Sequence, residues 1–246
     1  MGKSDIKRVL GSIRRADEKF GMIQSGDKIA VGVSGGKDSL LLLFALSIYK
    51  KFCKKDFSLF AVTVSLGLEP FDTTAVEQFS NSLGIPYTRT DSDIGNIVFH
   101  IRKEKNPCAL CANMRRGAVN SAAKELGCNK VALAHHRDDA IETLLMSLFF
   151  EGRMNTFAPV TYLSRQDLTV IRPFLYVPEE IIAAVAQNNA LPVIPSPCPV
   201  NGKTKRQDIK DLLSSLSAQF PDIHEKLLHA LDNTEKYNLW DKYVKK

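Results

Sequence analysis

The sequence has no apolar stretch long enough to cross a bilayer. Its longest apolar run, Leu40 to Tyr49, is about half of the ~20 residues a spanning helix needs. The N-terminal segment MGKSDIKRVLGSIRRADEKF holds no apolar h-region, so a secretory signal is not expected. Ile6 stands where a myristoylation signal places Ser or Thr. A cytoplasmic protein with no membrane partner is the expectation. Cysteine is scarce, with five in 246 residues: Cys53, Cys108, Cys111, Cys128 and Cys198. In a reducing compartment these stay thiols, which argues against a disulfide framework. There is no internal repeat and no low-complexity linker. Acidic residues are outnumbered, 27 against 33 Lys and Arg, for a net charge of +6. Basic clusters at KRVLGSIRR, KKFCKK, RKEK, MRRG and KTKRQDIK fit a polyanionic partner, although each alone also reads as a solvated face.

What remains is ordinary globular composition, 44% hydrophobic and 24% charged, enough for one core with a small appendage. Strand and helix signals alternate. KIAVGV (28–33) and FSLFAVTVSL (57–66) read as buried strands, GIPYTRT as a short one, and NKVALAHH (129–136) as another. Helices are expected after SGGKDS, over 72–83 with Asp72 and Thr73 as caps, up to Gly127, and over RDDAIETLLMSLFFEG. This alternation predicts an α/β fold, a parallel sheet flanked by helices. PEEIIAAVAQNNALP reads as a helix, and from Lys205 amphipathic helices follow, broken at Pro221. The expected divisions are a helical lead-in over 1–25, an α/β domain over 26–175, and a C-terminal region over 176–246 with a cysteine loop and helices that contact RNA.

The strongest local signal is IAVGVSGGKDSLLLL (29–43), where a buried strand meets a glycine turn and a helix start. Gly35 and Gly36 allow close approach of the backbone, and successive N–H groups at a helix N-terminus make an anion cradle. Val33, Ser34, Gly35, Gly36, Lys37, Asp38 and Ser39 form the candidate nucleotide site. Ser34 and Ser39 add hydroxyl donors and Lys37 adds positive charge. Asp38 makes sense there as a Mg²⁺ ligand or as a group that orients the donors. The pattern lacks the glycine immediately before lysine that a Walker loop requires. SGGKDS instead resembles the PP-loop of ATP pyrophosphatases, which cleave ATP to AMP and pyrophosphate and activate a carbonyl oxygen as an adenylate.

The segment NPCALCANMRRG sets Cys108 and Cys111 at C-x-x-C spacing, and Cys198 lies far downstream in PSPCPVNG. Structural zinc wants four protein ligands, and thiolates also hold iron–sulfur clusters. Spacing alone leaves zinc, a cluster and a redox pair open. The chain is similar, over nearly its whole length, to the tRNA 2-thiocytidine biosynthesis family of the PP-loop superfamily. The resemblance is carried by the PP-loop, by Cys108 and Cys111 followed by Arg115-Arg116-Gly117, by AHHRDD (134–139), by VIRPFLYV, and by Cys198 after an Ile-Pro. Ala134 departs from the family's glycine, and VTVSLGLEP is less typical.

The resemblance implies that Cys108, Cys111 and Cys198 hold a [4Fe–4S] cluster whose open iron binds sulfur. It implies ATP and Mg²⁺ on the PP-loop, adenylation of the C2 oxygen of a tRNA cytidine at position 32, and replacement of that oxygen by sulfur. It also implies a sulfur donor, a cysteine desulfurase or free sulfide, and is compatible with a homodimer. Lys37, Arg115 and Arg116 are candidates to stabilise the phosphates. Asp138 and Asp139 are candidates for Mg²⁺ or base work, with helix capping as the alternative. His135 is a further candidate at the nucleotide, with packing at the strand end as the alternative. Lys203, Lys205 and Arg206 are candidates for tRNA phosphate contact. The alternatives are a PP-loop thiolase for another nucleoside, a ligase, which needs no cluster, or a metal-bearing nucleotide-binding protein without thiolation activity.

Overall fold

The computed structural model describes residues 2–68, 71–102, 107–195, 198 and 205–239. In chain order the elements are α1 (Gly2–Phe20), β1 (Lys28–Gly32), α2 (Lys37–Tyr49), β2 (Ser58–Ser65), α3 (Thr74–Ser82) and β3 (Tyr87–Asp91). A short α4 (Ile94–Asn96) runs into a π turn (Ile97–Ile101), followed by α5 (Pro107–Glu125), β4 (Lys130–Ala132) and α6 (Arg137–Glu151). Then come β5 (Val160–Leu163), β6 (Leu168–Ile171), α7 (Glu179–Asn188), α8 (Lys205–Gln219) and α9 (Ile223–Asp232). Among the described residues no helix is long and apolar enough to cross a membrane.

The strands form one sheet in the order β3-β2-β1-β4-β6-β5. All neighbours are parallel except β5, which runs antiparallel to β6 at the edge. This bears out the expected α/β class. Ile29, Ala30 and Val31 of β1 are fully buried, and Val131 and Ala132 of β4 likewise, as central parallel strands covered on both faces require. Alternation along β1 turns Ala30 to one face, where it packs with Val62, Val131 and Val170 beneath Val119, Ala122 and Ala123 of α5. α2 packs on β1 and, with α1 and α7, builds a second helical layer. Leu40, Leu41, Leu42 and Leu43 are all 0% exposed, because α2 is enclosed nearly all round.

The N-terminal helix packs into the core of its unit. Val9, Ile13 and Ala16 are buried, and buried Asp17 accepts from Ile23 N–H (2.8 Å), Tyr49 OH (2.8 Å) and Lys55 Nζ (2.6 Å). Burial, and then the Asp17 hydrogen bond, push the Tyr49 phenol far up from its usual range.

The chain clusters into two compact units, Met1–His136 with Ala158–Asn201, and Arg137–Phe157 with Gly202–Lys246. The expected divisions, 1–25, 26–175 and 176–246, are contiguous in the chain, and these two units are not. The β5–β6 pair, which sequence reasoning passed over because each strand has four residues, returns the chain to the first unit by pairing with β4. In the second unit, Ile141 and Leu145 of α6 pack against Ile209 and Leu213 of α8, with Leu227, Leu228 and Leu231 of α9 alongside. The four-residue spacing puts each pair on one helix stripe. Each buried side chain of this kind contributes about 1.5–3 kcal/mol.

Candidate nucleotide and thiol site

The sheet order places a switch point between β1 and β4, where helical connections depart in opposite directions. Open α/β sheets bind ligands outside the carboxyl ends of such strands. At the end of β1, Val33 is pinned by its N–H to Val62 O (2.8 Å) and by Thr63 Oγ1 donating to its carbonyl (2.8 Å). The loop then folds around one hydroxyl. Ser39 Oγ accepts from Ser34 N–H at 3.0 Å, donates to Gly36 O at 3.0 Å and lies 3.2 Å from Ser34 Oγ. Gly35 has φ +83°, which a side chain rarely adopts. Gly36 is the N-cap of α2 and supplies no side-chain cap. The first-turn amides of α2 therefore face outward as anion donors.

Lys37 Nζ lies 2.9 Å from Glu179 Oε1 and 3.1 Å from Asp38 Oδ1. Burial pulls its pKa down, but Glu179 and then Asp38 outweigh this and hold it above the ordinary lysine value. Asp38 Oδ1 is buried and accepts no well-formed hydrogen bond, since the Lys37 ammonium is near but poorly aimed. A carboxylate oxygen left unsatisfied beside a phosphate cradle fits a Mg²⁺ ligand.

Cys108 lies exposed in the first turn of α5, and Cys111 is buried one turn on, so both project from one helix face. Burial pushes the Cys111 thiol up, Arg115 pulls it down, and Cys198 and Cys108 push it up again, so the three sulfurs lie within electrostatic reach. The other two cysteines are used elsewhere. Cys128 is buried in the core beneath α5, and Cys53 Sγ faces Lys55 O at 3.8 Å. Among the described residues no three His, Cys, Asp or Glu side chains are gathered tightly enough for a single metal ion. A four-iron cluster holds its cysteine sulfurs farther apart than one ion does, and an all-thiol donor set suits it.

Arg115 and Arg116 are exposed on α5. Arg116 donates to Ala112 O (3.2 Å) and to Asn113 Oδ1. His135, just past β4, accepts at Nδ1 from Arg172 Nε (3.3 Å). Arg172, just past β6, is buried and also donates to Ala158 O at 2.6 Å. Burial, and then the Arg116 charge, push its guanidinium down to about 10.

The second unit gathers a different set. Asp138 Oδ1 lies 3.1 Å from Arg137 and 3.8 Å from His224 Nε2. Asp139 Oδ1 is 2.9 Å from Arg206 NH1, which also lies 3.2 Å from buried Glu142. Arg206, expected at tRNA phosphate, is thus engaged in tying α8 to α6. Lys205 Nζ sits over the Phe150 ring at 4.5 Å. Lys203 lies outside the described residues.

A family model described as a PP-loop domain matches residues 8–213. The tRNA-cytidine(32) 2-sulfurtransferase of Pelobacter propionicus is 38% identical over 97% of this chain and 90% of its own. That of Geobacter sulfurreducens is 37% identical over 96% of this chain and 93% of its own. The chain belongs to the tRNA-cytidine(32) 2-sulfurtransferase family of PP-loop proteins. Among solved structures, the U34-tRNA thiolase NcsA from Methanococcus maripaludis, described with its [4Fe-4S] cluster, superposes with a TM-score of 0.78 at 24% identity. The match covers 97% of this chain and 81% of that one, and shows a shared fold.

In this PP-loop protein the loop itself and its lysine were legible in the sequence. Two residues were missed. Glu179 opens α7 after a proline and reads as an ordinary acidic first turn, so nothing local marks it as the partner of Lys37. Arg172 lies within VIRPFLYV, but only the β4–β6 pairing brings it to His135.

Proposed function

We propose that the chain is an ATP-dependent tRNA sulfurtransferase that converts cytidine 32 to 2-thiocytidine. The observation that carries this is the placement of an uncapped PP-loop and all three candidate cysteines in one compact unit. The named relatives supply the nucleoside. The phosphates of ATP bind the Gly35–Ser39 backbone and the Ser34 and Ser39 hydroxyls, Lys37 meets their charge, and Asp38 would hold Mg²⁺. The C2 oxygen of cytidine attacks the α-phosphorus and pyrophosphate leaves. A sulfur nucleophile at the sulfide level then adds to C2, and AMP leaves carrying the former oxygen. Adenylation is needed because an amide-like oxygen is otherwise a poor leaving group. Lys37 and the Arg115–Arg116 pair stabilise charge that grows as pyrophosphate departs.

Cys108, Cys111 and Cys198 would hold a [4Fe–4S] cluster, which when bound would supply an iron able to carry the sulfur. The sulfur comes from free sulfide, or from a cysteine desulfurase whose persulfide sulfur is brought to the sulfide level by two electrons from a thiol reductant, which leaves as its disulfide. The tRNA is held by basic side chains including Lys205, and the enzyme acts in the cytoplasm. The test is nucleoside mass spectrometry of tRNA from cells lacking this protein, complemented with wild type or Lys37→Ala. Wild type restores 2-thiocytidine and the variant does not. Restoration by Lys37→Ala would overturn the mechanism.

A further inference from the structure

We infer, resting on the sulfurtransferase function proposed above, that Ile194 is a positioning residue that couples nucleotide at the PP-loop to the placement of Cys198. The Ile194 N–H donates to the Gly35 carbonyl at 3.0 Å. That carbonyl and the Gly36 N–H are opposite ends of one planar trans peptide, so fixing the first aims the second. The Gly36 N–H is held only loosely inside the loop, 3.4 Å from Ser34 Oγ, and is the donor a phosphate would take. Ile194 therefore orients a phosphate-binding amide from outside the loop.

The side chain reinforces the hydrogen bond. A Cβ placed on Gly35 would sit 2.3 Å from Ile194 Cγ1 and 2.6 Å from its Cδ1, with Phe71 Cζ at 3.7 Å. Ile194 thus occupies the space that any residue but glycine at 35 would claim. Its neighbours Val193 and Pro195 are exposed, so the segment meets the loop through this one side chain. Upstream, Leu191 is buried and its N–H bonds Ala186 O (3.0 Å) at the end of α7.

Downstream the chain reads Pro195, Ser196, Pro197, Cys198. Pro195, the next residue, has its φ set by the proline ring. Four residues span at most about 14 Å, so Cys198 is tethered within that reach of Ile194, which bonds the Gly35 carbonyl. Rotation of that peptide to meet a phosphate pulls on the Ile194 N–H, and through it on the segment that carries Cys198. The reaction gains from this link, since the sulfur-bearing centre is set in place when ATP is present to activate the base.

The test uses cluster-free protein at one pH. Alkylation of Cys198 by iodoacetamide is followed by peptide mass spectrometry, with Cys53 as internal reference, with and without a saturating Mg²⁺ complex of a non-hydrolysable ATP analogue. Analogue binding is measured calorimetrically on the same samples, and hydrogen exchange of the peptide over residues 191–195 is a second readout. In wild type the analogue should change the Cys198 rate by about fivefold or more, the lower end of ordinary coupling between sites. In Ile194→Ala the change should fall below about twofold while the analogue still binds, and Ile194→Val should restore it. An analogue that binds wild type yet leaves Cys198 and the exchange of 191–195 unaltered would overturn the coupling alone. A full response in Ile194→Ala would do the same. No analogue binding by wild type would overturn the ATP-dependent function and the coupling with it.

Discussion

Glu179→Gln removes one negative charge from the PP-loop lysine and keeps the side chain's shape. In the structure Lys37 Nζ sits 2.9 Å from Glu179 Oε1, with the two side chains 33% and 32% exposed. An ion pair this open to solvent is worth about 0.2–1 kcal/mol. Lys37 must let go of Glu179 to reach a phosphate, so that energy opposes nucleotide binding. The substitution should tighten binding of a Mg²⁺–ATP analogue by up to about fivefold, since about 1.4 kcal/mol is a factor of ten. The melting temperature should fall by no more than about 2–4 °C, the shift that 1 kcal/mol produces in a chain of this size. The sign of the pH dependence follows from the raised Lys37 pKa. A group raised on folding contributes fully below its unfolded value and loses that contribution as pH climbs through the folded one. The stability difference between wild type and variant should thus be flat through neutral pH and fade only above pH 10.5. Calorimetric titration of both proteins decides the matter. Weaker binding by Glu179→Gln would refute the competition and show that Glu179 holds Lys37 in its phosphate-binding pose.

Wild type purified without oxygen should carry iron and acid-labile sulfide near four each per chain, and Cys198→Ser should sharply reduce both. Stoichiometric zinc and no iron, even after anaerobic reconstitution, would remove the cluster from the mechanism. Arg206→Ala should destabilise the second unit by about 1–3 kcal/mol in urea unfolding, because buried Glu142 loses its nearer cation and keeps Lys210 at 3.6 Å. The salt dependence of tRNA binding should stay as in wild type for this variant. A slope lower by about one with unchanged stability would instead make Arg206 a phosphate contact. Lys205→Ala should lower that slope by about one and leave unfolding nearly unchanged.

Much of the molecule was legible from local spacing. The run IAVGV, the glycine pair and the helix that follows specify a strand, a turn and an anion-binding helix start within fifteen residues. Backbone stereochemistry and the hydrogen bonds of Ser39 to Ser34 and Gly36 specify most of this locally, and Val62, Thr63 and Ile194 then hold the loop from outside. The C-x-x-C spacing likewise puts two thiols on one face of α5 wherever that helix packs. Alternation of apolar strands and amphipathic helices was enough to predict a parallel sheet. The four-residue strands β5 and β6 escaped because their pattern is too short to separate from a loop, and they exist as strands because β4 offers an edge to pair with.

The long-range choices belong to the tertiary structure. Only the packing of α7 on α2 brings Glu179 to Lys37. Only the course of the chain beyond α7 lays Ile194 on Gly35 and lets Cys198 act electrostatically on Cys111. Only the matching of apolar stripes on α6 and α8 turns Arg206 toward Asp139 and Glu142, where composition suggested a free basic group for RNA. The physical division is one of range. The sequence by itself determined the chemistry each segment can offer, because steric limits and hydrogen bonding act between near neighbours. The fold decided which of those groups meet, because burial of apolar surface acts between segments whose separation along the chain carries no signal of their contact.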